Sequence, residues 1–202
     1  MKALIDMDLI VYKIGAACDN WHYNYLGERF DSHKDLKSHL KRVFSGDAER
    51  IDQGLADAER DRDPDEWVDV KDSVVSFTED LIEPWDEYEG YLSGKGNFRF
   101  DYAISHPYKG NRKDTAKPQH LQAIRQHMID NWDAIVSEGE EADDMLGIWA
   151  TDQGPDTTIV SIDKDMLQIP CHHYNPTRRT LVTMSEREGA KFFYTQILTG
   201  DK

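Results

Sequence analysis

The sequence predicts a single domain with an α/β fold and a mainly parallel, doubly wound sheet. Three observations support this prediction, one for the fold class and two for the single domain. Short apolar runs of strand length alternate with helical segments along the chain, which is typical of parallel strands joined by crossover helices. With 202 residues and 39% apolar content, the chain is long enough to bury a core as one domain. It has no internal repeat and no low-complexity linker that would divide it.

The elements of the first half follow from short apolar and turn patterns. The run "KALID" predicts a short buried strand, and a helix through about Ala17 follows it. The stretch "WHYNYLGERFD" alternates large and polar residues around a glycine, which predicts a hairpin. Ser32 is placed to cap a helix that runs through about Phe44. Residues 45–72 are acidic and irregular in pattern, so we expect a surface excursion that is helical in part at best.

The second half continues the alternation of helix and strand. The run "SVVSFTEDLIEPW" predicts a helix ended by Pro84, and "EYEGYLS" predicts the next strand. After a basic segment, Pro118 opens an amphipathic helix that directs inward Leu121, Ile124, Ile129 and Trp132. Two buried strand runs, "DAIVS" and "DTTIVSI", flank a helix from about Ala142 to Asp152. The stretch "SEREGAKFFYTQILTG" predicts a last helix with a glycine stop.

The charge of the chain is unevenly distributed. A net charge of −15 by itself argues against a nucleic-acid partner. Residues 91–125, however, hold seven lysines and arginines against two aspartates. A phosphate polymer would favour such a segment, and Lys95, Arg99 and Lys113 are its candidate contacts. A solvated basic loop is the equally simple alternative.

The composition also limits where the chain works. No apolar run approaches the roughly 18 residues of a membrane span, so no membrane partner is expected. Cys18 and Cys171 are not in a CxxC spacing, which favours a reducing compartment and argues against a structural zinc site. We therefore expect a cytoplasmic protein.

Three acidic groups follow predicted strands or open the helices after them. Each group alone has a structural explanation, because acidic residues stabilise the first turn of a helix by about 0.3–1 kcal/mol and often cap it. Ligands of doubly wound sheets, however, gather beyond the carboxyl ends of the strands. The three groups that would meet there are Asp6 and Asp8, then Glu141, Asp143 and Asp144, then Asp163 and Asp165.

Carboxylates gathered at one rim would repel strongly unless cations neutralise them or some stay protonated. Hard divalent ions that prefer oxygen ligands, Mg²⁺ or Mn²⁺, are the simplest answer. Two such ions about 4 Å apart can activate a water and stabilise a leaving oxygen in phosphodiester hydrolysis. The acidic groups therefore predict a site for divalent metal ions.

Four motifs occur in an order and at separations that resemble one family. They are "YKGNRK" (Tyr108–Lys113), "EEADDMLGI" (Glu140–Ile148), "VSIDKDMLQI" (Val160–Ile169) and "QILTGD" (Gln196–Asp201). Together they resemble the flap endonuclease and 5′→3′ exonuclease family, which includes the 5′-nuclease domain of bacterial DNA polymerase I and the bacteriophage exonucleases. The upstream stretch "YLSGKGNFR" looks most like the phage branch. The resemblance is weakest over residues 19–85, and it implies a PIN-like catalytic domain with a helical arch segment at about 95–125.

The resemblance implies a role for each matched residue. Lys109 and Arg112 match the basic pair on the arch that contacts the scissile phosphate, where fixed cations stabilise developing charge. Tyr108 matches a position whose ring can stack on a base near the cut, although a core tyrosine is an equally simple reading. Asp8 is expected to support its neighbour Asp6 rather than bind an ion. The ligands implied for two ions are Asp6, Glu141, Asp143, Asp144, Asp163, Asp165 and Asp201.

Two features depart from the family pattern. Relatives usually have a metal-binding aspartate at the end of the strand before "NFR", where this chain has Gly94. Another side chain or a water would have to replace that ligand, or the affinity for metal is reduced. The family also continues past "TGD" into a helix–hairpin–helix that grips duplex DNA, whereas this sequence ends at Lys202. A truncated chain, a proteolysed fragment and a split protein with the module on a separate chain are the open explanations.

These features predict a divalent-metal-dependent 5′→3′ exonuclease or flap endonuclease. Its expected substrates are DNA 5′ ends, flaps and RNA primers at replication or recombination intermediates, in the host cytoplasm if a phage encodes it. Two alternatives remain open. A haloacid-dehalogenase-type phosphatase would use Asp6 as nucleophile and Asp8 as acid/base, and a catalytically weakened remnant of the nuclease family would bind DNA without cutting it.

Overall fold

The computed structural model describes residues 1–102, 108 and 115–200. A 3₁₀ turn over Lys164–Gln168 joins the last parallel strands. The strands and helices in chain order are β1 (Lys2–Asp6), α1 (Asp8–Ala17), β2 (Trp21–Tyr25), β3 (Glu28–Phe30), α2 (His33–Val43), α3 (Ala48–Asp57), β4 (Glu59–Arg62), α4 (Trp67–Ile82), β5 (Glu87–Leu92), α5 (Arg99–Tyr102), α6 (Leu121–Trp132), β6 (Ile135–Val136), α7 (Ala142–Gln153), β7 (Thr158–Val160), β8 (His172–Asn175), β9 (Thr180–Thr183) and α8 (Glu186–Thr199).

The central sheet of the described residues has six strands in the order β6-β5-β1-β7-β8-β9. All neighbouring strands are parallel except β8 and β9, which form an antiparallel hairpin at one edge. Parallel strands need crossover connections, and here helices supply them, so the inner strands are buried on both faces. The α/β class with a mainly parallel, doubly wound sheet, predicted from the sequence, is confirmed.

Helices cover both faces of the sheet, and the alternating side chains of β1 contact both layers. Ala3 and Ile5 belong to a core formed with α1, α4 and α6, whereas Leu4 belongs to a second core formed with α7. All three side chains are fully buried. Burial of a Leu or Ile side chain contributes roughly 1.5–3 kcal/mol each, so β1 stabilises both halves of the fold.

A separate lobe lies between α1 and α4 in the chain, and we call residues 21–62 the inserted lobe. Its three antiparallel strands have the order β3-β2-β4, and α2 packs against both β2 and α3. Leu36, Leu40 and Ile51 form a small core of its own. The predicted hairpin and the Ser32 cap of α2 both lie in this lobe and are confirmed.

The expectation of an irregular segment over residues 45–72 is wrong. Asp47 caps α3, β4 pairs with β2, and α4 begins at Trp67. The segment is ordered because α3 buries Ile51 against α2, although acidic residues surround that position in the sequence.

Two further differences concern the edges of the central sheet. The predicted buried strand in "DAIVS" is only Ile135–Val136, and both side chains are exposed, because β6 is an edge strand paired on one side with β5. The β8–β9 hairpin was not predicted. Among the helices of the described residues, none combines the length and the apolar character needed to cross a membrane.

The carboxyl ends of the inner strands meet at one edge of the sheet, because β5, β1 and β7 are parallel neighbours. β1 ends at Asp6, and Ser93 and Ser161 directly follow β5 and β7. The N-terminus of α7 lies at the same edge, since the backbone N–H of Ala142 donates to Ser93 Oγ at 2.9 Å. This edge therefore brings the predicted acidic groups into one region.

Candidate metal centre

The three predicted acidic groups line one open cleft at the carboxyl edge of the sheet. One part of the cleft lies over the end of β1, and an outer part of about 1170 Å³ extends along α7. The two parts share Glu141, Asp143 and Asp163. The carboxylates that line the cleft are Asp6, Asp8, Glu141, Asp143, Asp144, Asp152, Asp163 and Asp165, and Asp152 was not among the predicted ligands.

Asp6 is the most buried of these carboxylates, with 9% of its surface exposed. Its Oδ2 accepts a hydrogen bond from Ser161 Oγ at 3.3 Å, but its buried Oδ1 has no hydrogen-bond partner among the described residues. Burial, followed by the negative charges of Asp143 and Asp8, raises the pKa of Asp6 to about 7. A buried acceptor without a donor is a feature that a divalent cation would satisfy, so the residues present fit a metal ion.

Asp8 lies beside Asp6 and joins several elements of the scaffold. Its Oδ1 accepts from Arg125 Nη1 at 3.0 Å, and its Oδ2 accepts from the backbone N–H of Ser93 at 3.0 Å. Arg125 Nη2 also donates to the carbonyl of Ser93 at 2.7 Å. The guanidinium thus neutralises one carboxylate of the cleft and connects α6 to the ends of β1 and β5.

The acidic triplet at the start of α7 combines a capping role with a position in the cleft. Glu141 and Asp144 form a capping box, in which Asp144 Oδ2 accepts from the backbone N–H of Glu141 at 3.0 Å. Arg99 donates from both Nη atoms to the Asp144 carboxylate, at 2.6 Å each. This bidentate contact raises the pKa of Arg99. In this structure Arg99, a predicted nucleic-acid contact, therefore lies on a predicted metal ligand.

Tyr108 lies on the wall of the same cleft. Its hydroxyl donates to Glu141 Oε2 at 2.8 Å, and its ring meets the ring of Phe100 edge-on with centroids 5.7 Å apart. The side chain is only half-buried. Tyr108 is therefore not a buried core tyrosine in this structure.

Asp163 and Asp165 lie at the turn that follows β7. The side chain of Asp163 accepts from the backbone N–H of Asp165 at 2.8 Å, which caps the 3₁₀ turn. Asp165 Oδ1 accepts from Gln196 Nε2 at 2.6 Å, which connects the turn to α8. The backbone N–H of Asp163 donates to Ser161 Oγ at 3.1 Å, so one hydroxyl links this turn to Asp6.

The carboxylates share a cleft without being gathered into ligand geometry. Within the described ranges, no three Asp, Glu, His or Cys side chains lie close enough together to hold an ion as they stand. Mutual repulsion favours separation, and Asp8, Asp144 and Asp165 already accept hydrogen bonds from neighbouring side chains. Oxygen ligands lie about 2.0–2.6 Å from Mg²⁺ or Ca²⁺, so side chains would have to converge on a bound ion.

Gly94 lies where the family resemblance implies an aspartate, and its surroundings leave no room for a side chain. A Cβ added there would lie 1.7 Å from the carbonyl oxygen of Ser137. The backbone N–H of Gly94 donates to Ser137 Oγ at 3.0 Å, and the N–H of Ser137 donates to the carbonyl of Leu92 at 3.0 Å. The position at which the resemblance implies a ligand is therefore one where two backbone segments approach closely.

Several predicted residues lie outside the part of the chain that the structure describes. They are Lys109, Arg112, Lys113 and Asp201. The predicted arch segment is described at residues 95–102, 108 and 115–125. Lys95, at the start of that segment, lines a groove with Lys117 and Arg125. This groove adjoins the carboxylate cleft, since both are lined by Asp8 and Ser93.

Sequence reasoning missed four polar residues that hold the carboxylates in place. Ser93 and Ser161 directly follow β5 and β7, so the rule that ligands gather beyond strand ends could have identified them. Arg125 and Gln196 had no comparable signal, because their partners Asp8 and Asp165 are 117 and 31 residues away in sequence.

A mainly parallel sheet whose carboxyl edge gathers acidic residues is the arrangement that the sequence resemblance implies, and comparison with known proteins finds a flap endonuclease among similar sequences. The chain is 43% identical over 68 residues to flap endonuclease Xni of Vibrio parahaemolyticus, a match that spans 31% of this chain and 26% of that relative. No protein-family model matches the sequence.

The fold is similar to solved structures from bacteriophage T5. The D15 flap endonuclease, in a pseudo-enzyme-product complex with DNA and metal ions, matches with a TM-score of 0.55 and 14% identity. That match covers 99% of this chain and 66% of the T5 chain. T5 D15 protein co-crystallised with metal ions matches with a TM-score of 0.46 and 15% identity, over 100% of this chain and 66% of that chain. The sequence match to the Vibrio relative confirms the predicted resemblance to flap endonucleases, and the match with a TM-score of 0.55 supports the fold.

Proposed function

We propose that this chain is the catalytic domain of a divalent-metal-dependent 5′ nuclease that hydrolyses phosphodiester bonds in DNA. The observation that carries the proposal is the buried, unpartnered Oδ1 of Asp6 in a cleft lined by further carboxylates. An acidic cleft and an anionic nucleic acid repel each other, so a reaction on phosphate there needs cations between them. The flap endonuclease named among the relatives supports the same chemistry.

Two Mg²⁺ or Mn²⁺ ions suit the donors of this cleft, because every candidate ligand offers carboxylate oxygen. Bound ions would supply an activated water and neutralise charge on the phosphate. On the resemblance, Asp201 is a further ligand. The residues that would hold the ions in the described cleft are Asp6, Glu141, Asp143, Asp144, Asp163 and Asp165.

The other polar residues of the site would orient these ligands and the substrate. Ser161 would hold Asp6 through Oδ2 and leave Oδ1 directed to an ion. Arg125 would keep Asp8 neutralised beside it. Arg99 would exchange its carboxylate for a phosphate once an ion neutralises Asp144, because a guanidinium forks onto either group. On the resemblance, Lys109 and Arg112 would contact the scissile phosphate and Tyr108 a neighbouring base.

The finer features of the substrate rest on the sequence resemblance. We propose DNA 5′ ends and flaps as substrates, with RNA primers as a further class. The expected location is the cytoplasm, where replication intermediates of a bacterium or its phage occur.

The phosphatase alternative is not favoured. It needs Asp8 as acid/base next to a nucleophilic Asp6, but both carboxylate oxygens of Asp8 already accept hydrogen bonds, from Arg125 and Ser93. It also gives no role to the acidic residues of α7 in the same cleft.

Cleavage of a 5′-labelled flap duplex tests the proposal. The protein should cut the flap with Mg²⁺ or Mn²⁺ and not with EDTA, and Asp143→Asn should reduce the rate by at least about 100-fold if that carboxylate holds an ion. Asp156→Asn is the matched control, because Asp156 is an exposed aspartate outside the cleft and should cut like the wild type. A wild-type chain that cuts neither flaps nor 5′ ends would refute the nuclease assignment for this chain, and covalent phosphorylation of Asp6 would favour the phosphatase.

A further inference from the structure

The inserted lobe is connected to the rest of the described structure by two neighbouring segments, residues 18–21 and 62–65, which we call its neck. Trp21 pairs with Arg62 at the end of the β2–β4 ladder. The backbone N–H of Asp65 donates to the carbonyl of Cys18 at 2.9 Å, and Asn20 Nδ2 donates to Asp65 Oδ1 at 2.6 Å. The neck is therefore fixed by hydrogen bonds on both sides.

Arg62 connects this neck to residues 117–119, which follow the basic segment. Its Nη1 donates to Asp19 Oδ2 at 2.9 Å and to the carbonyl of Lys117 at 2.8 Å. Its Nη2 donates to Gln119 Oε1 at 2.9 Å. Asp19 completes the cluster, because its Oδ1 accepts from the backbone N–H of Gln119 at 2.9 Å. The Arg62 guanidinium and the Asp19 carboxylate thus make three hydrogen bonds to residues 117–119 and one to each other.

The cluster is a built feature and not a solvated surface pair. Asp19 is 2% exposed, so removing Arg62 would leave a buried charge without its cation. Pro118 is fixed from the other side, because a Cβ on Gly15 of α1 would lie 2.7 Å from its Cβ. His120 adds a further contact, a hydrogen bond of 2.9 Å between its Nε2 and the carbonyl of Asp65.

We propose that Arg62 is a positioning residue for the nuclease reaction, which rests on the function proposed above. It fixes the point at which the basic segment that contains Lys109, Arg112 and Lys113 joins the body of the protein. Three residues lie between Lys113 and Lys117 in the sequence, and Lys117 itself lines a groove with Lys95 and Arg125 beside the carboxylate cleft. A shift of Lys117 would therefore change the spacing of the cations that line this groove, which a phosphate backbone entering the cleft would contact.

This assigns a role to the inserted lobe, which lies where the family resemblance is weakest. The lobe carries its own core and does not line the carboxylate cleft in the described residues. Its strand β4 delivers Arg62 to the end of the basic segment, so the lobe acts on the reaction through the placement of substrate-binding cations. It contributes no group to the chemistry.

Arg62→Ala, Arg62→Lys and the control Arg60→Ala test the proposal in the full chain. Arg60 lies over the same Trp21 ring, with its Cζ 4.0 Å from the centroid, but it donates no hydrogen bond to Lys117 or Gln119 in the described residues. Hydrogen exchange of the Gln119 amide should be at least about tenfold faster in Arg62→Ala than in Arg60→Ala, because loss of a charge-assisted contact loosens the segment. Arg62→Lys keeps the charge beside Asp19 and should give an intermediate rate.

Flap cleavage supplies the second readout. We expect kcat/KM to fall about tenfold in Arg62→Ala at an unchanged affinity for Mn²⁺, with partial recovery in Arg62→Lys and no change in Arg60→Ala. Equal exchange of Gln119 in the Ala variants would overturn the proposal, and so would faster exchange with wild-type cleavage. If the wild type does not cleave at all, the proposed function fails separately. Binding of a single-stranded flap in EDTA then decides, with weaker binding by Arg62→Ala than by Arg60→Ala expected and equal binding overturning the proposal.

Discussion

Replacing Gly94 by alanine introduces a single methyl group at the most crowded point of the site, and the geometry defines what must move. The new Cβ would lie 1.7 Å from the carbonyl oxygen of Ser137, whereas a carbon and an oxygen in contact are about 3.3–3.6 Å apart. The two backbone segments would have to separate by roughly 1.5–2 Å. The atoms that the new Cβ would meet first are backbone atoms of Ser137, so no flexible side chain can move aside to relieve the clash.

That separation would break the hydrogen bonds that hold Ser137 beside β5. The Gly94 N–H to Ser137 Oγ bond of 3.0 Å and the Ser137 N–H to Leu92 carbonyl bond of 3.0 Å both span the gap. Each contributes about 0.5–1.5 kcal/mol net, and overpacking of a well-filled site costs a further 1–3 kcal/mol or so. We expect Gly94→Ala to lower the free energy of unfolding by about 3 kcal/mol, which corresponds to a fall in Tm of roughly 6–12 °C for a chain of this size.

Chemical and thermal unfolding of the metal-free protein would measure the effect, with Gly54→Ala as the matched control. A Cβ on Gly54 would meet a methyl group of Leu40 at 3.0 Å, and that side chain can rotate away, so we expect a change within about 1 kcal/mol. Gly94→Asp, which introduces the residue that the family resemblance implies, should be as unstable as Gly94→Ala and should bind Mn²⁺ no more tightly than the wild type. A stable Gly94→Asp variant with higher affinity for Mn²⁺ would refute the steric account.

Three further predictions follow from the charges of the cleft. The pKa of Asp6 is raised to about 7, so ionisation of Asp6 destabilises the metal-free fold increasingly as the pH rises from about 4 to about 7. In EDTA, Asp6→Asn should therefore be more stable than the wild type at pH 8, by up to about 4 kcal/mol, and no more stable at pH 3. A Tm that is equally pH-dependent in both proteins would contradict this. Arg99→Ala removes the partly exposed ion pair with Asp144, which contributes about 1 kcal/mol at most to stability. It should nevertheless tighten the binding of Mn²⁺ measured by calorimetry, because the guanidinium no longer competes with the ion for Asp144. Weaker binding of Mn²⁺ would contradict this competition. Arg125→Ala should lower the free energy of unfolding by about 2 kcal/mol, because it leaves Asp8 without its cation. Adding Asp8→Asn to this variant should recover part of that loss. Strictly additive effects of the two substitutions would show that the residues are not coupled.

The parts of the fold that could be predicted from the sequence are those with strong local patterns. The strand ending at Asp6 and the buried run before Ser161 are apolar and short, and Ser32 and Gly200 mark helix ends by their chemistry. The helix α3 was missed although Asp47 provides a cap and the apolar residues of the helix lie one turn apart, because the acidic composition of the segment outweighed its periodicity. Edge elements such as β6 carry too few residues for any pattern to be visible.

The site divides in the same way. Acidic residues beyond strand ends could be predicted because parallel strands share an edge, and Asp6 and Asp163 do lie at one edge. Which cation lies on which carboxylate could not be predicted. Arg99 reaches Asp144 across 45 residues and Arg125 reaches Asp8 across 117, and such pairs depend on how α5 and α6 return to the sheet. The resemblance could identify residue types at matched positions but not the closure of the backbone at Gly94.

The distribution of partners within the cleft explains why the electrostatic strain is large at Asp6. Arg99 and Arg125 each neutralise one carboxylate at the rim, and helix and turn caps satisfy others. The Asp6 carboxylate accepts a 3.3 Å hydrogen bond from Ser161 and is also stabilised by the backbone of Leu9, yet it is the most buried of the group and lies beside two like charges. An ion bound at Asp6 would contact the unpartnered Oδ1 and reduce the repulsion between the carboxylates. Its binding free energy should therefore be more favourable there than at a rim carboxylate that must first release an arginine. For that reason we expect the first equivalent of metal to be lost in Asp6→Asn and to survive in Asp144→Asn, and calorimetric titration of the two variants would separate these outcomes.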